Sequence, residues 1–228
     1  MNTVPGVPLR VVSYNVHGLR DDRAALIGLI RDLAPDVLIV QEAARRFRWR
    51  QKCATFADEA GLVVAAGGLP ALGNLLLVSL RVAVHETWCL RYPLTPGRHL
   101  RGAAFARCSV RGAGFTLSGT HLATDPTERP AQAALWKAEL SRLDGPVIAG
   151  ADLNEGPGGG AWRTVEDGLL SSTEDVPTFP ATVPRRRIDG IFVSPDVVME
   201  RYEIIDSEPA RRASDHLPVL ADLSLPTS

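Results

Sequence analysis

Short apolar segments with a polar cluster at one end recur along almost the whole chain. Four of them are partly β-branched and bounded by turn residues, which predicts buried strands at residues 9–14, 36–40, 115–118 and 146–149. Side chains with an amide, a carboxylate or an imidazole lie at their C-terminal ends: Asn15, Glu42, His121, Asp152 and Asn154. One such cluster would mean little, but the repetition predicts a single site that several strands share.

Two later segments carry their polar residues at the opposite end. Asp189 lies near the start of residues 188–193, and Asp215 and His216 precede residues 217–225. All clusters meet at one edge if these last strands run antiparallel to neighbours among the first four. The sequence therefore predicts mixed sheets rather than a purely parallel one.

Segments between the strands carry apolar residues at helical spacing. They predict helices at residues 21–33, 45–60 and 127–143, with a short one at 161–169. Asp21 or Asp22 is placed to cap the first helix, and Pro35 ends it. The third helix is expected to offer four residues to the core: Ala134, Leu135, Ala138 and Leu143. Further strands are predicted at residues 62–66, 75–80, 82–90 and 104–110.

This order of elements predicts an α/β protein in which two sheets pack face to face with helices outside. Because the polar clusters span the chain, cutting it would split the site, so we expect residues 1–228 to form one domain. Three cysteines lack metal-binding spacing and lie among apolar residues, which predicts reduced core thiols: Cys53, Cys89 and Cys108.

Charge and hydropathy indicate few partners. The formal net charge of −1 gives no general attraction to nucleic acid or to anionic membranes. No apolar run is long enough to span a bilayer, and the N-terminus lacks an apolar signal core. We therefore expect a cytoplasmic protein without stable membrane association. No feature demands a partner chain, so a monomer is expected.

Two clusters suit phosphate chemistry by residue type alone. Glu42 is the best metal candidate, because one carboxylate with several waters is the usual way to hold Mg²⁺; by itself it could equally be the N-terminal acid of a helix. Asp152 can orient or deprotonate an attacking water, and the Asn154 amide can donate to a phosphoryl oxygen. The alternative for this pair is turn chemistry before Gly156, and both can hold.

Six motifs then carry a specific resemblance: VVSYNVHG, VLIVQEA, SGTHLAT, AGADLNEGPGG, RRIDGIFVS and SDHLPVLADL. In this order, from Val11 to Leu223, they resemble the endonuclease/exonuclease/phosphatase superfamily with its DNase I-like fold. The resemblance implies a four-layer α-β-β-α sandwich of two mixed, mainly antiparallel sheets flanked by helices. It also implies a hydrolase that uses Mg²⁺, with Mn²⁺ as an alternative, for in-line attack of water on a phosphoester.

The resemblance also implies roles for individual residues. It adds Asn15 and Asp215 to Glu42 near the metal. His216 would contact the reacting phosphate or act as base, and Asp189 would orient its ring. Two further positions are implied: His121, as a donor to a phosphoryl oxygen or an aid to the leaving group, and Arg101, as a phosphate ligand. Asp152 and Asn154 complete the implied set as catalytic residues.

The substrate is less defined. Residues 45–52 interleave basic and aromatic side chains, which suits a phosphate backbone and stacked bases; Arg48 there and Arg187 before Asp189 are candidate phosphate ligands. The alternative is a solvated helix face whose arginines pair with Asp58, Glu59 and other acids. The substrate classes left open are nucleic acid and a small-molecule, lipid or inositol phosphate, and a non-catalytic phosphate-binding scaffold is the less favoured alternative.

Overall fold

The structure, a computed structural model, describes residues 6–172 and 174–227. In chain order its strands are β1 (Val7–Asn15), β2 (Val37–Gln41), β3 (Val63–Gly68), β4 (Asn74–Val78), β5 (Ala83–Arg91), β6 (Gly102–Val110), β7 (Ala113–His121), β8 (Val147–Asp152), β9 (Asp189–Val193), β10 (Val198–Ile204) and β11 (Val219–Leu225). Its helices are α1 (Arg23–Leu33), α2 (Trp49–Glu59), α3 (Arg129–Leu140), α4 (Gly160–Glu166) and α5 (Glu208–Ala213).

The strands form two mixed sheets. One has the order β10-β11-β1-β2-β4-β3 and the other the order β5-β6-β7-β8-β9. In each sheet a single pair is parallel, β1 with β2 and β7 with β8, and the other pairs are antiparallel. The last strands run antiparallel to β1 and β8, as the positions of the polar clusters required.

Apolar side chains fill three interfaces between four layers. Ile39 of β2 and Ile148 of β8 belong to the core between the sheets. Phe56 of α2 lies in a second core, which α1, α2 and α5 form with the outer face of the first sheet. Trp136 of α3 and Trp162 of α4 cover the second sheet. The predicted α-β-β-α sandwich is therefore confirmed.

The first helix follows its sequence signals closely. Asp22 is the N-cap, and its carboxylate accepts a hydrogen bond of 3.0 Å from the Ala25 N–H. The helix ends at Leu33, before Ala34 in the left-handed conformation and then Pro35. The predicted cap and end are both confirmed.

Other helix predictions were wrong in detail. Residues 45–48 are not helical, and Arg48 at φ 58° precedes the first turn of α2. In α3 the buried face holds Ala133, Trp136 and Leu140, whereas Leu135 of the predicted face is 40% exposed. The large Trp136 ring decides this orientation, since it buries the most apolar area and its indole N–H donates to Ser118 Oγ at 2.8 Å.

Two of the three thiols lie in the core. Cys53 and Cys108 are buried, and burial raises their pKa values to about 11 and about 12. Cys89 on the edge strand β5 is half-buried. All three are free, as predicted. None of the helices in the described ranges is long and apolar enough to cross a membrane.

The two sheets pack tightly against each other at Gly119 and Gly150. A Cβ atom at Gly150 would lie 2.8 Å from Ser13 Oγ and 2.9 Å from Ile39 Cδ1, and one at Gly119 would lie 2.7 Å from Ile39 Cγ2. Contacts below 3.0 Å cannot persist, so the small residues of β7 and β8 set the distance between the sheets here.

We expect Gly150→Val to lower the free energy of unfolding by about 1–3 kcal/mol or more, because the added side chain overpacks this interface. Urea unfolding measures the change. Gly114→Val is the matched control: Gly114 lies on β7 with open space around its Cβ position. Equal stability of the two variants would contradict the inferred close packing.

Candidate active site

Five strand ends bring polar side chains of these clusters together, and Glu42 directly follows a sixth, that of β2. Asn15 ends β1, His121 ends β7 and Asp152 ends β8, while Asp189 begins β9 and His216 precedes β11. His121, Asp152 and Asp189 are register partners across three adjacent strands. Strand pairing therefore lines up these side chains at one edge of the second sheet, facing the end of β1.

The carboxylate of Asp152 is the centre of the cluster. It is 1% exposed, and its Oδ2 accepts the Asn15 amide at 2.9 Å and lies 3.1 Å from Nε2 of His121. Its Oδ1 accepts the backbone N–H of Asn154 at 2.9 Å. A buried carboxylate needs such donors, because without them desolvation would drive it to the neutral form.

His216 is held by the carboxylate of Asp189. Its Nδ1 lies 2.9 Å from Asp189 Oδ2, and that oxygen also accepts the Thr178 hydroxyl at 2.6 Å. Burial opposes the charged imidazolium, but Asp189 and Asp152 outweigh it and raise the pKa of His216 to about 10. His216 is therefore protonated at neutral pH, with Nε2 3.8 Å from Asp152 Oδ2.

His121, in contrast to His216, is neutral. Burial, with the nearby Arg101 guanidinium, outweighs the attraction of Asp152 and lowers the pKa of His121 to about 3. Arg101 can only donate, and its Nη1 lies 2.9 Å from His121 Nδ1. The contact with Arg101 favours a neutral ring with its proton on Nε2, the nitrogen that lies 3.1 Å from Asp152 Oδ2 and 2.9 Å from the Asn154 amide nitrogen.

The charge on His216 makes stability depend on pH. Its folded pKa of about 10 lies above the ordinary 6.5, so its stabilisation is complete below about pH 6.5 and is lost as pH rises toward 10. In EDTA, we expect the unfolding free energy of the parent to fall relative to that of His216→Gln across this interval. Urea unfolding at pH 6, 8 and 10 measures it. A constant difference between the two proteins would contradict the raised pKa.

Glu42 and Asp215 line a cleft beside this cluster. The Glu42 side chain is 32% exposed, and Oδ1 of Asp215 is buried without a hydrogen-bond donor among the described residues. The Asn15 Oδ1 accepts the backbone N–H of His17, a residue that also lines the cleft, at 3.0 Å. Two carboxylates that line one cleft, one of them with a buried oxygen that accepts no hydrogen bond from the described residues and lies 3.8 Å from His17 Nδ1, fit a hard divalent cation.

A second trio has metal-ligand spacing. The ligand atoms of Asp152, Asp189 and His216 lie within 4.8 Å of one another. However, Nδ1 of His216 already faces Asp189, and Asp189 also accepts Thr178. Because Asp189 already binds His216 and Thr178, Glu42 and Asp215, which line the cleft, are the better candidates for a cation site.

The backbone is strained where two of these side chains are presented. Glu42 has φ 57° and Asn154 has φ 53°, both in the left-handed region that non-glycine residues rarely adopt. The guanidinium of the buried Arg129 binds the carbonyls of Asn154 and Thr124, which holds the turn after β8. The Asn154 amide in turn donates to the Leu122 carbonyl at 3.0 Å.

Comparison with known proteins identifies the family of this chain. The model of the Endonuclease/Exonuclease/phosphatase family matches residues 12–216. The chain belongs to this family. The resemblance drawn from the six motifs is thereby confirmed. No curated protein gave a sequence match.

Solved structures share the fold at low sequence identity. An endonuclease/exonuclease/phosphatase from Bacteroides vulgatus is 20% identical, with a TM-score of 0.79 over 96% of this chain and 100% of that one. A mannosyl-6-phosphatase from Bacteroides thetaiotaomicron is 17% identical (TM-score 0.78, 95% and 100%). TDP2 of D. rerio complexed with a single-strand DNA product is 21% identical (TM-score 0.77, 95% and 99%).

A large basic cleft adjoins the cluster in this family member. It has a volume of about 930 Å³ and is lined by Glu42, Asp215, His121 and Arg101 on the side of the strand ends. Arg48 also lines it, from the exposed turn before α2. The predicted phosphate candidates Arg101 and Arg48 therefore face one cavity.

Arg187 does not line this cleft, and its contact with substrate phosphate stays a prediction. It is 4% exposed, and its guanidinium lies 4.9 Å from the Trp162 ring and 5.5 Å from the Tyr202 ring. It donates to the Ser172 carbonyl at 3.0 Å. Arg187 is enclosed because the loop before β9 folds over it, and it anchors that loop.

Two positioning residues were missed from the sequence. Thr178 is fully buried and binds Asp189, and Ser214 donates its hydroxyl to the Asn15 carbonyl at 2.7 Å. Phe179 packs against the His216 ring at 4.8 Å. Ser214 lies in the SDH motif, but nothing in the local sequence singles out Thr178, whose partner is eleven residues away.

Proposed function

We propose that this protein is a divalent-metal-dependent phosphoester hydrolase in which Asp152 orients and deprotonates the attacking water. The observation that carries the proposal is the environment of this carboxylate. It lies 1% exposed between a neutral His121 and a protonated His216, next to the cation site. Membership of the Endonuclease/Exonuclease/phosphatase family supports the same chemistry.

Glu42 and Asp215 would hold Mg²⁺, or Mn²⁺ in its place, with Asn15 beside them. When bound, the cation neutralises charge on the phosphoryl and leaving oxygens. The carboxylate pair leaves room for waters, as Mg²⁺ prefers.

Side chains of the protein would carry out the proton transfer and stabilise the transition state. Asp152 accepts a proton from water, while Nε2–H of His121 holds the carboxylate in position. His216 presents its Nε2–H to a phosphoryl oxygen, and Asp189 keeps its ring oriented. Arg101, whose guanidinium lines the cleft beside His121, adds positive charge where the transition state gains negative charge.

A phosphoester panel tests the proposal. The substrates are plasmid DNA, single-stranded DNA, RNA, sugar phosphates, inositol phosphates, sphingomyelin and bis-p-nitrophenyl phosphate, each with Mg²⁺, Mn²⁺ or EDTA. We expect turnover that requires the metal and is lost in His216→Gln. Turnover that persists in EDTA, or in His216→Gln, would overturn the mechanism.

The same panel decides between the two substrate classes. A sugar phosphatase and a protein bound to a DNA product are both among the structural relatives, so the fold accommodates either. Metal binding without turnover of any substrate would favour the scaffold alternative.

A further inference from the structure

The cleft beside the cation site carries a large excess of positive charge. Among its lining residues are seven arginines and lysines against two carboxylates, in a chain whose formal net charge is −1. The two carboxylates are Glu42 and Asp215, which the proposed function assigns to the metal. The positive charge of the arginines and lysines is therefore not used to bind the metal.

Four of these cations form what we call the basic wall: Arg20, Arg46, Arg48 and Lys52. All four are exposed. In the described part of the chain no carboxylate forms an ion pair with any of them, whereas the neighbouring Arg23 pairs with Glu59 at 2.8 Å. The alternative of a solvated helix face neutralised by Asp58 and Glu59 is therefore not what the chain adopts.

The basic wall also opposes the dipole of α2. The first turn of this helix contains no acidic residue, and its N-cap, Arg48, makes no side-chain capping bond. Cations at the N-terminus of a helix are unfavourable, while an anion there is favourable. A bound anion would therefore offset the unfavourable interaction between these cations and the α2 dipole.

A buried, unpaired donor lies at the inner end of the same cleft. Arg101 is 9% exposed, and its Nε has no hydrogen-bond partner among the described residues. Such a group is costly to bury unless a ligand reaches it. The cleft thus has donors at both ends, Arg101 near the reacting group and the basic wall farther out.

The aromatic residues of this segment do not contribute a stacking surface. Among the described residues that line the cleft, none is Phe, Tyr or Trp. The Trp49 ring packs on the backbone of Gly68, where a Cβ would lie 2.5 Å from it, and Arg50 covers it at 4.5 Å. Phe47 is 83% exposed, outside the cleft. Proteins usually hold single-stranded nucleic acid by stacking its bases on aromatic side chains. The described lining of this cleft contains no Phe, Tyr or Trp on which a base could stack.

We propose that the basic wall binds a second phosphate group of the substrate, so that the protein acts on compact molecules with two or more phosphates. This inference rests on the proposed function, with the scissile phosphate at Asp152 and His216. A cleft of about 930 Å³ matches the size of small-molecule sites, and its guanidinium and ammonium groups match phosphate.

Binding tests the wall independently of turnover. The probes are inorganic phosphate, tripolyphosphate and a ten-nucleotide oligothymidylate, titrated calorimetrically in EDTA. The test variant is Arg48→Gln/Lys52→Gln. The matched control is Arg50→Gln, which removes a cation from the same helix that does not line the cleft. Thermal unfolding establishes that all variants are folded.

We expect the double variant to bind tripolyphosphate at least about tenfold more weakly than the parent, and Arg50→Gln to bind it like the parent. Unchanged affinity in the double variant would overturn the proposal. So would oligothymidylate that binds more tightly than tripolyphosphate and depends on Arg48 and Lys52, since the wall would then serve a nucleic-acid backbone.

Turnover provides a second arm. The ratio of kcat/KM for fructose 1,6-bisphosphate to that for fructose 6-phosphate should fall in the double variant and stay at the parental value in Arg50→Gln. A ratio that is unchanged in the double variant would overturn the proposal. If the hydrolase assignment itself fails and neither sugar is turned over, the calorimetric arm still decides whether the wall binds phosphate groups.

Discussion

We expect Asp152→Asn to lower kcat/KM by about 10⁴-fold or more, the scale seen when a proton-transfer carboxylate is replaced by its amide. Among the described residues, the Asp152 carboxylate alone both contacts His121 and lies within reach of His216, and the variant loses it. Its new amide nitrogen would also meet the Asn15 amide and the Nε2–H of His121, which are donors themselves. The measurement is steady-state turnover of the best substrate from the panel.

The control for this prediction is Asp222→Asn. It removes a carboxylate that pairs with Arg10 at 2.7 Å, away from the site, so turnover should stay at the parental level. Circular dichroism and urea unfolding check that Asp152→Asn remains folded, since replacing a buried hydrogen-bonded carboxylate costs about 1–3 kcal/mol. A folded Asp152→Asn protein with parental activity would remove Asp152 from the mechanism.

The second large effect is expected for Asp189→Asn, at about 10²- to 10⁴-fold in kcat. His216 would lose the carboxylate at 2.9 Å that orients its ring and helps to keep it protonated. Because Asp189 acts through His216, kcat should fall more than KM rises. The alkaline limb of the pH–rate profile should also move to lower pH.

Thr178→Val provides a graded comparison for Asp189→Asn. It removes only the hydroxyl that donates to Asp189 Oδ2 at 2.6 Å and leaves the carboxylate in place. We expect a loss of about 10- to 100-fold, about the worth of one hydrogen bond to a charged group. An equal loss in both variants, without a shift of the pH profile in Asp189→Asn, would indicate a structural role for Asp189.

The fold was predictable in outline because most of its elements carry local signals. The inner strands β1, β2, β7 and β8 are short apolar runs, and α1 has an N-cap at Asp22 and a stop at Pro35. The exposed edge strand β10 and the short helix α5 were missed. Alternating half-exposed residues and a six-residue helix leave too little pattern to distinguish them from loops.

Which residues gather at the strand ends follows from local sequence. Amides, carboxylates and histidines stand directly beside buried strands, so sheet formation alone carries Asn15, His121, Asp152, Asp189 and His216 to one edge. Strand position is a local property, which is why six short motifs were enough to identify the family.

The role of each charged group there depends on the neighbours that it acquires when the chain folds. His121 and His216 are the same residue type, yet burial and the placement of Arg101 and Asp189 make the first neutral and the second protonated. Arg187 and Arg48 are equally basic in the sequence, but one is enclosed by aromatic rings and the other faces the cleft. Desolvation and Coulomb interactions depend on neighbours from distant segments, and those neighbours exist only once the chain has folded.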